Sequence, residues 1–229
     1  MPTFKALRVH EQTDGTFSRQ IESRSTDDLP EGEVLIRVHF AGLNYKDALS
    51  ATGNKGVTRK FPHTPGIDAA GVVEESNHSD FKAGDEVIVT SYDLGMNTDG
   101  GFAEYIRVPA EWVVPKPNTL SLSESMILGT AGFTAGLSLW KMLQNDQNPE
   151  AGKILVTGAT GGVGSFAVGI CAKAGFEVIA STGKSEATEY LKKLGATEVV
   201  GRDYAHDDSK RPLLKPLWAG VIDTVGGEV

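Results

Sequence analysis

Gly158, Gly161, Gly162 and Gly164 are the residues of this 229-residue chain whose spacing most directly implies chemistry. They lie in the run Ile154-Leu155-Val156-Thr157-Gly158-Ala159-Thr160-Gly161-Gly162-Val163-Gly164. Ile154 to Thr157 is a short apolar run that suits a buried parallel strand. After the glycines, Val163, Phe166, Ala167, Ile170, Cys171 and Ala174 recur at three- and four-residue spacing, the pattern of one helix face. A strand, a glycine turn and a helix in this order are the context that a dinucleotide fingerprint needs, although the spacing is not the plain G-x-G-x-x-G. Glycines lack a Cβ, so the backbone turns tightly and a pyrophosphate can approach. The N–H groups and positive end of the new helix then hold the anion. Aligned on the last glycine, the pattern is Ala159-x-Gly161-x-x-Gly164 with Gly158 just before it. A turn that binds nothing can carry the same glycines, but the flanking strand and apolar helix put nucleotide binding ahead of it.

The end of the second strand discriminates between dinucleotides. An NAD site places a carboxylate there, about 20 residues on, for the ribose 2′-hydroxyl. Here Val178-Ile179-Ala180-Ser181 runs into Thr182-Gly183-Lys184-Ser185, with no acid before Glu186. Hydroxyls and a lysine suit a 2′-phosphate, and Arg202 past the third strand is a second cation for it. Taken singly, Lys184 is equally well an exposed loop lysine, and Arg202 an ion pair with Asp203. Together, and without the acid, they favour NADPH.

Other polar groups are sparser. Leu43-Asn44-Tyr45-Lys46-Asp47 follows a strand, and Pro65-Gly66-Ile67-Asp68 is a second cluster. A tyrosine beside a bound nicotinamide can orient a carbonyl or donate a proton. A half-buried Tyr45 with its hydroxyl in water is the simpler alternative. One cysteine and five scattered histidines give no Cys-x-x-Cys or His-x-x-x-His spacing, so no metal site is expected. His39 and His63 read as strand and loop residues. Cys171 sits on the apolar helix face and reads as core, not nucleophile.

Two kinds of element must position these groups. The first half reads as β-rich, with strands at Val34–Phe40, Ala69–Glu74, Glu86–Thr90 and Phe102–Val108, and prolines that break any long helix. A compact barrel or sandwich is expected. In the second half Ser121 or Ser123 can cap a helix through Met126, and another helix covers Thr134–Leu143. Strands at 154–157, Glu177–Ser181, Glu198–Val200 and Val221–Val225 alternate with helices at 163–174 and Glu186–Leu194, with Gly175 and Gly195 as helix stops. That alternation is doubly wound. Four strands are found where such a domain uses about six, so the chain reads as stopping mid-domain. Asp207–Lys215 reads as a solvated loop or short helix.

Composition narrows the partners. Apolar content of 40% and charged content of 23% are ordinary for a globular protein. A net charge of −8 argues against nucleic acid. No apolar run approaches a membrane span and no signal-peptide core opens the chain, so a cytoplasmic protein without a membrane partner is expected.

Taken together, these motifs resemble the zinc-free quinone oxidoreductase branch of the medium-chain dehydrogenase/reductase superfamily, and within it the NADPH-dependent acryloyl-CoA reductase group. The resemblance spans essentially the whole chain. Its most specific blocks are Asn44-Tyr45-Lys46-Asp47-Ala48-Leu49 and Gly129-Thr130-Ala131-Gly132-Phe133-Thr134-Ala135. Phe61-Pro62 to Asp68, Glu189 to Ala196 and Trp218 to Gly226 extend it. It implies an α/β plus β chain: a GroES-like β barrel catalytic domain over residues 1–122, then an incomplete Rossmann NADP-binding domain over 123–229. In zinc-dependent relatives a cysteine ligand stands in the place of Asn44 and a Gly-His-Glu ligand region in that of Gly66-Ile67-Asp68. The resemblance implies cofactor contacts for Tyr45, Thr160, Gly161, Gly162, Val163, Thr182, Gly183, Lys184 and Arg202. It also places Thr130 near the nicotinamide, giving Tyr45, Asn44 and Thr130 as the catalytic set, with no metal. The implied reaction is NADPH-dependent reduction of an activated C=C bond, as in a 2-enoyl-CoA, with quinone reduction as the alternative. An inactive, shortened nucleotide-binding chain is the reading of another class. Lys55, Arg59 and Lys60 are candidates for CoA phosphates, although a solvated loop explains them more simply. Relatives of this kind often pair as homodimers.

Overall fold

The computed structural model describes residues 2–206 and 215–227, so residues 207–214 of the expected charged loop lie outside the described residues. The chain divides into two units, Met1–Thr130 and Ala131–Val229, where the sequence placed a boundary after residue 122.

In the first unit β1 (Thr3–Glu11) and β2 (Phe17–Ser25) form an antiparallel hairpin. A five-stranded antiparallel sheet follows. It is built from β3 (Val34–Ala41), β4 (Asp68–Ser76), β5 (Glu86–Thr90), β6 (Tyr105–Val108) and β7 (Val113–Pro115), in the order β6-β3-β4-β5-β7. Val34, Ile36, Val73, Val87, Val89 and Ile106 fill its core. The barrel expectation thus takes the form of this sheet with the hairpin bridged to it at Ala6–Ala103 and Val9–His63. Among the described residues no ladder joins β6 to β7. Strict alternation in β3 also gives way: irregular register at Leu35/Ile36 and Val38/Phe40 buries Leu35 as well and leaves Phe40 exposed. The helix α1 (Tyr45–Ala51), absent from the expected elements, starts directly after β3.

The helix α2 (Leu122–Gln144) opens on a capping box, in which Ser121 Oγ accepts from Glu124 N and the Glu124 carboxylate accepts from Ser121 N. By length and composition it is apolar enough to cross a membrane, against the sequence reading. Gly129, at φ 48° and ψ −156°, breaks it into two shorter helices.

The second unit holds a parallel sheet of β8 (Ile154–Val156), β9 (Val178–Ser181), β10 (Glu198–Val200) and β11 (Gly220–Ile222), in the order β10-β9-β8-β11. The helices are α3 (Gly162–Lys173) and α4 (Thr188–Leu194), the latter preceded by a 3₁₀ turn over Ser185–Ala187. β9 lies on one side of β8 and β11 on the other. The order therefore reverses at the C-terminal end of β8, where open α/β sheets take their ligands. The expected strand Val221–Val225 instead ends at Ile222, because Asp223 turns the chain. Cys171 is fully buried among Val168, Phe176 and Leu191. Burial pushes its thiol up to about 11, which makes it a core residue.

Candidate functional site

Two polar constellations emerge, one in each unit. In the second, β8 delivers the chain to Gly158, which has φ 56°. Gly161 N donates to Gly158 O at 2.9 Å, closing the turn. A Cβ on Gly164 would fall 2.3 Å from Gly158 O and 2.8 Å from Ala159 Cα, so helix α3 seats against the turn only with glycine there. Gly161 caps α3, and Gly162, Val163 and Gly164 form its first turn, whose N–H groups have no partner within the helix. The turn is tied to the end of β9: Ala159 N donates to Ser181 O at 3.0 Å, and the hydroxyls of Thr160 and Thr182 lie 3.4 Å apart.

Beyond β9 the backbone folds back on itself. Lys184 N donates to Thr182 Oγ1 at 3.1 Å, and Ser181 Oγ donates to Gly201 O at 3.2 Å. The guanidinium of Arg202 lies over Gly183, where a Cβ would meet its Nε at 2.7 Å. Thr160, Thr182, Gly183, Lys184 and Arg202 thereby line one recess together with Thr157, Gly158, Ser181 and Val225. A wider cleft of about 590 Å³ continues past Arg202, along Ser185, Thr188 and Asp203. No acid lines the recess, and among the described residues no ion pair joins Arg202 to Asp203. The donor set therefore fits a dinucleotide whose ribose carries a 2′-phosphate: glycines that admit a backbone-close anion, a helix N-terminus, hydroxyls and two cations. Gly161, Gly162 and Val163 stand at the helix start and are not among the recess lining. Thr157, Ser181 and Val225 read in the sequence only as strand residues, and their place in the recess comes from the strand ends meeting in the fold.

The first unit gathers its polar groups on Asp68, which is only 1% exposed. Its Oδ2 accepts from Asn44 Nδ2 and from Thr130 N, both at 2.8 Å, and its Oδ1 accepts from Thr130 Oγ1 at 2.6 Å. Thr130 has one hydroxyl proton and gives it to Asp68. Ser91 Oγ, 3.1 Å away, is then the donor to Thr130 Oγ1. Ser91 and Tyr92 both hold left-handed backbone, at φ 63° and 50°, a strained state for residues with side chains. Asp47, 2% exposed, accepts from Asn44 N at 2.7 Å and Ile67 N at 2.9 Å. Burial raises its carboxyl above the usual range, and the charge of Asp68 adds to that. The structure thus joins Asn44 to Thr130 through Asp68.

Tyr45 stands apart. It opens α1 with its ring 81% exposed, neither half-buried nor part of the Asp68 cluster. Lys55 is already engaged, 2.6 Å from Glu11 Oε2 and 4.8 Å from the Phe61 ring centre. Of the basic segment, that leaves Arg59 and Lys60. Among the described residues, no group of three or more His, Cys, Asp and Glu side chains is arranged to hold a metal ion.

Residues 30–118 match the Alcohol dehydrogenase GroES-like domain family. The chain is 44% identical to the acrylyl-CoA reductase AcuI of Ruegeria pomeroyi, over 98% of this chain and 68% of that protein. The Bacillus subtilis protein YhfP, crystallised with NAD, is 49% identical at a TM-score of 0.94, over 99% of this chain and 68% of its own. The YhdH oxidoreductase of Salmonella enterica, in complex with NADP, is 45% identical at a TM-score of 0.93, with 98% and 68% covered. The chain spans about two thirds of the length of each.

Proposed function

The chain belongs to the medium-chain dehydrogenase/reductase superfamily, and we propose that within it this protein is an NADPH-dependent reductase of activated carbon–carbon double bonds, with a 2-enoyl thioester such as acryloyl-CoA as substrate. The observation that carries the cofactor choice is the acid-free recess of Thr182, Gly183, Lys184 and Arg202 behind the glycine turn. The likeness to AcuI, an acrylyl-CoA reductase, supports the substrate class. Bound NADPH supplies a hydride for the β carbon of the double bond.

The protein's own residues bind and orient. Lys184 and Arg202 hold the 2′-phosphate, and the first turn of α3 at Gly161, Gly162 and Val163 holds the pyrophosphate. Asp68 fixes the amide of Asn44 and the hydroxyl of Thr130, so the groups proposed to face the reactants do not swing. Tyr45, exposed at the start of α1, contacts the cofactor. The proton for the α carbon comes from solvent, with the Tyr45 phenol as the other source. Arg59 and Lys60 are the cations left for CoA phosphates, and reversing their charge is expected to raise KM for acryloyl-CoA and not for a small enone.

A second reading, NADPH:quinone reduction, is favoured by several relatives, among them YhfP, which carries a quinone oxidoreductase name. The quinone oxidoreductase of Sus scrofa is 34% identical over 74% of this chain and 50% of that protein. Parallel assays of NADPH oxidation with acryloyl-CoA and with a benzoquinone decide between the two. Faster turnover of the thioester is expected, and turnover of the quinone alone would replace the proposal with its rival.

A further inference from the structure

The end of β11 carries a knot of side-chain bonds that none of the nucleotide motifs accounts for. The Asp223 carboxylate accepts the hydroxyl proton of Thr157 and the N–H groups of Val225 and Gly226, the latter two at 3.1–3.2 Å. Thr157 Oγ1 accepts in turn from Thr224 N at 3.0 Å, and Thr224 Oγ1 donates to Thr157 O at 2.9 Å. Both roles of the Thr157 hydroxyl are therefore taken, and its rotamer is set. β8 and β11 are parallel neighbours, with Val156 opposite Ile222, so the knot ties their C-terminal ends at the point where the strand order reverses.

What it touches next is the glycine turn. A Cβ on Gly158 would lie 2.3 Å from Thr224 Oγ1 and 3.0 Å from Val225 Cγ2. Thr224 is packed on the first glycine, and Val225 enters the lining of the recess beside Gly158 and Thr160. The carbonyl of Gly158 is the group that Gly161 N bonds and that Gly164 seats against.

We propose that Asp223 is a positioning residue for the dinucleotide, acting through Thr157 and Thr224 to hold the glycine turn in the form that admits the pyrophosphate. The inference rests on the NADPH reading and adds to it a residue about 60 positions beyond the fingerprint. An ordinary strand-end turn would stabilise the sheet and leave all ligands alike. A positioning role acts on the pyrophosphate end and spares the 2′-phosphate end at Lys184 and Arg202.

Two probes separate these ends: NADPH, and adenosine 2′-monophosphate, which has the 2′-phosphate but no 5′-phosphate, pyrophosphate or nicotinamide. Binding to the purified 229-residue chain is measured by calorimetry and nicotinamide fluorescence, with melting temperature alongside. In Asp223→Ala, NADPH is expected to weaken by roughly tenfold or more while the 2′-monophosphate stays within about twofold. Asp223→Asn keeps the accepting Oδ1 and is expected to recover most of the loss. Thr157→Val, which deletes the hydroxyl at nearly constant volume, should repeat the selective loss and carries the test if Asp223→Ala does not fold. Unchanged NADPH affinity, or equal weakening of both ligands, would overturn the positioning role. Wild-type protein that binds neither ligand would instead overturn the cofactor reading beneath it.

Discussion

Asp68 shows how much can depend on one carboxylate. Three donors converge on a side chain with almost no water contact, and removing it strands all three. Asp68→Ala is expected to cost about 3 kcal/mol in unfolding free energy, with a smaller loss for Asp68→Asn, which keeps an acceptor; thermal or denaturant melts measure both. Asn44 and Thr130 stood out in the sequence because each lies in a specific block. Their connection did not, because they meet through a residue 24 positions from one and 62 from the other, a separation that no local pattern spans. The two cations of the second unit were legible from the missing acid at the end of β9. Replacing Lys184 and Arg202 by glutamine is expected to weaken NADPH by at least tenfold relative to NADH. Unchanged selectivity in a paired titration would remove the 2′-phosphate assignment.

The turn between β8 and α3 depends on what is absent. A methyl group on Gly164 would collide with backbone, which cannot give way as a flexible side chain does. Gly164→Ala is expected to cost about 1–3 kcal/mol and to abolish NADPH binding; a melt together with a fluorescence titration tests both. The parallel strands were readable because each is a short apolar run bounded by glycine or a cap. The hairpin β1–β2 was not. In β1 the alternation is interrupted by Arg8, buried because it pairs with Asp99 at 2.6 Å and donates to Thr64 and Pro62. β2 is largely solvated and presents no apolar face. β11 ended early for a related reason, since side-chain bonds to Asp223 outcompeted continued strand pairing.

Taken whole, the chain pairs a sheet unit rich in buried charge with a nucleotide unit whose core is apolar, and each unit offers a distinct stability readout. His63, 2% exposed near Arg8, Asp93 and Asp99, is held below its ordinary value chiefly by burial. The unfolded chain takes a proton near pH 6.5 that the folded chain refuses. His63 therefore contributes stability that is full above about 6.5 and is lost as pH falls from there through the folded value. A His63→Gln variant is expected to flatten that acid limb of a pH–stability curve. In the second unit Cys171, buried with its thiol pushed up to about 11, is expected to ignore a thiol reagent until the unit unfolds, so labelling rate reports its opening.

The most direct measurement is a titration of NADPH into the 229-residue chain, followed by nicotinamide fluorescence and melting temperature. A folded recess of Thr182, Gly183, Lys184 and Arg202 requires saturable fluorescence change. It also requires a rising melting temperature, worth about 2.7 kcal/mol of stability at a hundredfold excess over Kd. Saturating NADPH that moves neither signal would contradict the assignment of this chain as an NADPH-dependent reductase.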